Sequence, residues 1–221
     1  MYFGRLFFLS RRVKNYPVIV SNPVLRERFG GEVVPHARAD TGNGAPHESA
    51  TPRVVFVGTN RRHKGIDVLR AAVRTLADKG VSLTVTDDPP SDAQGLEEWI
   101  GQTTLEQGLS HVKSGDIVVI PSMPGEIHSQ AQLPAKLIDA MVAGRAIVVA
   151  DFAPLRWAVG EAGLVFQPGS PASLAHCLSQ LCDPALRARL GEAARDRALT
   201  LFTIKHVQRT FEIACTDAVT R

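Results

Sequence analysis

The chain has 221 residues, 44% of them hydrophobic and 21% charged, with a formal net charge of +3. Such a length allows one large domain or one domain with part of another. The composition excludes wholesale disorder, and no apolar run reaches the ~18–20 residues needed to span a bilayer.

The charge is uneven. Residues 1–38 hold seven basic and two acidic side chains, so the remainder carries a slight negative excess. A nucleic-acid partner would want its basic face on the main domain, and none is expected. Within residues 1–14, Tyr2, Phe3, Leu6, Phe7, Leu9 and Val13 fall roughly on one helical side, away from most of the basic residues. The apolar core of this segment is too short and too closely followed by charge for a signal peptide to be expected. It reads either as a helix packed on another domain or as a peripheral contact with a membrane surface. Cys177, Cys182 and Cys215 form no CxxC pair. A disulfide framework or structural zinc is therefore not expected, and a reducing, cytoplasmic compartment fits.

Residues 18–20 form a short β-branched strand. Ser21-Asn22-Pro23 then supplies a cap and a first-turn proline, which predicts a helix over 24–29 ending at Gly30-Gly31. A brief strand over 33–34 follows. Residues 37–52 are rich in Ala, Gly, Pro, Asn and Thr without periodicity, as in a linker.

From Arg53 the pattern alternates. Strands are predicted over 53–58, 81–86, 99–100, 116–121, 146–150 and 163–166. Helices are predicted over 66–79, 104–113 and 135–143, with a short acidic helix before Trp99 and three more beginning near Pro171, Pro184 and Ile204. A short turn is expected between the last two strands. Continuous Val/Ile runs mean strands buried on both faces, and their alternation with amphipathic helices means a doubly wound parallel α/β sheet of Rossmann-like type. Ligands bind such a sheet outside the carboxyl ends of its strands, where the strand order reverses. Two loops qualify.

The first loop is Gly58-Thr59-Asn60-Arg61-Arg62-His63-Lys64-Gly65. Its glycines allow close backbone approach at a helix start, and Arg61, Arg62 and Lys64 could neutralise a diphosphate. The spacing matches neither a Walker loop nor GxGxxG. The alternative is an ordinary solvated basic loop, with His63 a surface residue. The second loop is PSMPGEIHSQAQLP, residues 121–134, carrying Glu126, His128, Ser129 and Gln130. A loop this long in a compact domain suggests function, and Glu126 with His128 would suit acid–base chemistry. On the helix that follows, Lys136 and Asp139 share a face. Asp139 could accept both hydroxyls of a ribose, or the two could form a plain surface pair.

These residues carry a resemblance. VVFVGTNRRHKGIDVLRAA resembles the opening of the C-terminal, donor-binding domain of family-4 (group 1, glycogen-synthase-like) glycosyltransferases. LPAKLIDAMVAGRAIVVAD is similar to that family's donor-binding segment, and EAGLVFQPGSPASLAHCL to the segment after it. PVIVSNPVLRERFGGEVVPHARAD resembles the interdomain crossing. The resemblance implies the C-terminal half of a glycosyltransferase-B fold. Residues 1–52 would then be a remnant of the N-terminal domain and linker, 53–202 the nucleotide-sugar-binding domain, and 203–221 a C-terminal helix.

The resemblance further implies transfer of a sugar from a nucleotide-diphosphate sugar donor to a glycan, lipid or small-molecule acceptor, with no metal or cofactor at the site. Lys64 matches the family's phosphate-contacting lysine, and Gly58 opens that loop. Arg61 or Arg62 would stand in for the family's arginine, whose usual place is held by Thr59. Asp139 matches the second glutamate of a paired-glutamate motif, the ribose ligand. The place of the first falls on Ala131, with Glu126 the nearest carboxylate upstream. Glu126, Ser129, Gln130 and Lys136 are donor-loop candidates. Almost all of an N-terminal acceptor domain would lie outside these 221 residues, so transfer would need a further domain or chain. The competing class is a non-enzymatic nucleotide-binding or interaction module that docks through residues 1–14. A response-regulator-like module is disfavoured, because the first sheet strand ends without an acidic cluster.

Overall fold

A computed structural model describes residues 17–124 and 131–219. Two short parallel strands, β1 (Ile19–Val20) and β2 (Glu32–Val33), flank helix α1 (Pro23–Phe29). As the cap signal predicts, the Asn22 side chain accepts from the Leu25 amide, with proline in the first turn. Asn22 is fully buried, and its Nδ2 also donates to the carbonyl of Ala131 at 2.9 Å.

The main body is a six-stranded, all-parallel sheet. In chain order its strands are β3 (Arg53–Phe56), β4 (Ser82–Val85), β5 (Glu97–Trp99), β6 (Ile117–Ile120), β7 (Ala146–Ala150) and β8 (Leu164–Phe166). Their spatial order is β5-β4-β3-β6-β7-β8, which reverses direction between β3 and β6. The doubly wound α/β class expected from the sequence is therefore present, with its switch point where the two loops leave the sheet.

Two apolar layers explain why the strands read as unbroken hydrophobic runs. Val54, Phe56, Leu83, Ile117 and Val148 face α2 (Ile66–Arg74) and α6 (Pro171–Gln180). Val55, Val118, Ile120, Ile147 and Val149 face the helices of the other layer. These are α3 (Leu105–Ser114), α4 (Ala135–Val142), α5 (Ala153–Val159) and α7 (Pro184–Leu201). A last helix, α8 (Ile204–Val219), follows.

Three elements differ from expectation. No acidic helix precedes Trp99. Residues 91–96 turn, and Glu97 enters β5, where it accepts from Arg70 and Arg74 on α2. The connection between β7 and β8 is not a short turn but α5, with Pro154 in its first turn and Leu155 and Val159 buried. The helix expected over 66–79 breaks after Arg74 and resumes as a single 3-10 turn, Ala77–Lys79.

Residues 37–52 are irregular, as read, but lie against the sheet domain. Gly44 donates to Ala143 O, Ala45 donates to Lys113 O, and the fully buried Arg187 reaches Ser49 O. Among the described residues no helix is long and apolar enough to cross a membrane. Residues 1–14, read as a docking segment, lie outside the described residues.

Candidate functional site

The loops after β3 and β6 meet at the switch point. The Met123 amide donates to His63 O at 3.0 Å. Beneath them Gly65 has φ +70°, and a Cβ there would collide with Pro121 O, so the crossing depends on glycine. The first loop is also pinned on its other side, where the Gly58 amide donates to Thr86 Oγ1 at 2.7 Å and the Asn60 amide donates to Asp87. The Gly58 N–H is thus already used within the protein. Gly58 has φ +129°, a backbone conformation that favours glycine, and a Cβ there would stand in ordinary contact 3.5 Å from Lys136 Nζ.

Lys136 occupies the first turn of α4, on the inside of this crossing. Its ammonium donates to Val57 O at 2.9 Å and lies 3.7 Å from the centre of the Phe56 ring. Among the described residues no carboxylate pairs with it. Burial and the neighbouring Lys64 charge bring its pKa down to about 7. Lys136 lines two cavities. One is a cleft of about 370 Å³ between the end of β3, α3 and α4, whose walls include Gly58, Thr59, Thr86, Thr103, Gly108 and Asp139. The other is a small polar pocket shared with Lys64, Ser122 and Gln132.

One turn further along α4, Asp139 faces the same cleft. It does not pair with Lys136. Arg38, from the irregular segment ahead of β3, donates from Nε to Asp139 Oδ1 at 2.5 Å. Burial raises the Asp139 carboxyl pKa, and the Arg38 charge opposes that rise.

Gly58, Lys64, Lys136 and Asp139 are therefore gathered around adjoining cavities. Arg61 and Arg62 are exposed and line neither. Glu126, Ser129 and Gln130 lie outside the described residues. Ala131 is held by its carbonyl to Asn22. Among the described residues no group of three or more His, Cys, Asp or Glu side chains is placed to hold a metal ion. Sequence reasoning missed Arg38, which lies 101 positions from its acid. It also missed the walls contributed by Thr86, Thr103 and Gly108, small residues with no motif. The arrangement can receive an anion at the lysines and a hydroxyl-bearing ring at the carboxylate.

A family model described as "Glycosyl transferases group 1" matches residues 51–183. The chain belongs to that family. No curated protein sequence matches it. Among solved structures, a sucrose-phosphate synthase from Thermosynechococcus elongatus superposes with a TM-score of 0.79 at 22% identity, covering 98% of this chain and 62% of that one. Anabaena HepE in complex with UDP gives 0.82 at 15% identity, covering 98% and 68%. A glycosyltransferase from Rickettsia africae gives 0.74 at 14% identity, covering 97% and 66%. The fold is that of these glycosyltransferase-B structures, and the chain spans less than two thirds of the synthase's length.

Proposed function

We propose that this group 1 glycosyl transferase chain binds a nucleotide-diphosphate sugar and stabilises the nucleoside diphosphate as it leaves. The observation that carries this function is the joining of the two switch-point loops around Lys64, Lys136 and Asp139. In the transfer, the bond between the anomeric carbon and the terminal phosphate oxygen breaks and its electron pair stays on the diphosphate, while the acceptor's nucleophilic atom forms the new bond to that carbon and gives up its proton. Cations beside that oxygen lower the barrier because charge grows there in the transition state. Lys64 and Lys136 take this role, with Arg61 and Arg62 at the exposed rim and Gly58 leaving space for the phosphates. Asp139 accepts from the ribose hydroxyls.

A nucleoside diphosphate product agrees with the UDP bound by HepE. The quoted motifs favour family 4 within the group. The donor-binding unit runs from 53 to 202, consistent with β3 beginning at Arg53 and α7 ending at Leu201. The acceptor, whether glycan, lipid or small molecule, would be met by a further domain or chain.

The test is thermal unfolding of the full 221-residue chain with UDP, GDP and ADP. A ligand that binds only the native state raises the melting temperature with concentration. At least one of the three is expected to do so, and less in Lys64→Ala. No shift with any of them would refute the proposal.

A further inference from the structure

Arg38 lies outside the region that the family model matches, yet it is fixed from two sides. Its amide donates to Phe202 O at 2.8 Å, and its carbonyl accepts from the Ile204 amide at 3.3 Å. The main chain is thereby tied to the junction of α7 and α8. Its side chain reaches the other way, where Nη1 donates to Ala37 O at 2.9 Å and Nε donates to Asp139 Oδ1 at 2.5 Å. Arg38 and Asp139 both line the cleft, with side chains 33% and 18% exposed.

We propose that Arg38 is a positioning residue for ligand binding: by clamping one carboxylate oxygen of Asp139, it fixes how the other meets a hydroxyl donor in the cleft. This inference rests on Asp139 as the ribose-binding acid. An aspartate carboxyl rotates in a broad torsional well, and a charge-assisted bond from a planar guanidinium holds it in one orientation. The same bond preserves the acceptor. Burial pushes the Asp139 carboxyl toward its neutral form, which loses acceptor capacity, and Arg38 is the charge that resists this.

Among the described residues, the other charged groups on α4 and on the face of α7 packed against it are committed elsewhere. Lys136, one turn earlier on α4, donates to Val57 O. Arg195, on the packed face of α7, goes to Val142 O and Asp40. Helix α3 contributes no charged residue to the cleft wall.

The experiment titrates UDP, GDP and ADP into the full chain from pH 5.5 to 8.5, in wild type, Arg38→Met, Arg38→Lys and Asp139→Asn. Arg38→Met is expected to weaken the responding nucleotide about tenfold at low pH. Measured against wild type at the same pH, so that the shared titration of Lys136 cancels, the deficit should shrink as the pH rises and the freed Asp139 carboxyl ionises. Arg38→Lys should restore part of it at low pH, and Asp139→Asn should bind weakly throughout. The inference is overturned if Arg38→Met binds like wild type. It is also overturned if the loss neither varies with pH nor is relieved by lysine, which would mark a merely structural role. The underlying assignment of Asp139 fails separately if Asp139→Asn binds like wild type. No response from wild type to any of the three nucleotides would remove both.

Discussion

The Met123 amide and the His63 carbonyl are joined at 3.0 Å across the sheet's switch point. The bond makes one wall of two loops that are 60 residues apart in the chain. Their close crossing is possible because Gly65 has no side chain beneath Pro121 O.

Gly65→Ala should therefore be more damaging than Gly30→Ala. Both glycines have positive φ, +70° and +73°, but nothing lies within 4 Å of a Cβ at Gly30. The Gly30 variant should lose about 1–3 kcal/mol, the backbone cost alone, because φ +73° with ψ −163° is a conformation that L residues rarely adopt. The Gly65 variant should lose roughly 3 kcal/mol or more, because the collision is with main chain. Urea unfolding of the two variants measures the difference, and equal losses would contradict the loop crossing.

Lys136 should leave a proton signature. Its pKa falls from 10.5 to about 7 in the folded chain, so the unfolded chain binds more protons between those values. Its contribution to stability therefore improves as the pH rises from 7 toward 10, and the full penalty of the buried charge is present below 7. Lys136→Met removes that penalty. Its stability relative to wild type should be greatest near pH 6 and should decline by pH 9, as followed by denaturant midpoints. A diphosphate beside the amine would favour the charged form. Wild type should then take up a fraction of a proton on binding at pH 8, read by calorimetry in buffers of different ionisation enthalpy, and Lys136→Met should not.

Gly108 tests the cleft itself. It sits inside α3 facing the cavity, and a Cβ would approach Val57 Cγ1 at 3.2 Å. Gly108→Leu should occupy the cleft and weaken nucleotide binding by more than about tenfold, since a ligand would then have to displace packed side-chain atoms. Gly108→Ala should weaken it less, with a helix-propensity gain of up to about 1 kcal/mol offsetting the tighter packing. Binding by Gly108→Leu equal to wild type would place the nucleoside elsewhere.

Much of the fold was legible because its signals are local. The β-branched run of residues 146–150 forms strand Ala146–Ala150, and Pro171 and Pro184 mark the starts of α6 and α7. Helix α5 was missed although Pro154 carries the same signal, because seven residues are too few to show a periodicity. The acidic stretch before Trp99 misled because Glu97 is nearly buried against Arg70 and Arg74, a tertiary pairing that overrides its helical propensity. At the site, Lys64 and Asp139 stood out by charge and spacing. Arg38 did not, because its pairing with Asp139 depends on the segment ahead of β3 returning beside the α7–α8 junction. That closure has no local signature.

The most direct test is a crystal structure of the chain with whichever nucleoside diphosphate stabilises it. The account predicts phosphates against Lys64 and Lys136 beside Gly58, with a ribose hydroxyl on the Asp139 oxygen that Arg38 leaves open. A nucleotide bound at the opposite end of the sheet, or one whose phosphates touch neither lysine, would contradict it.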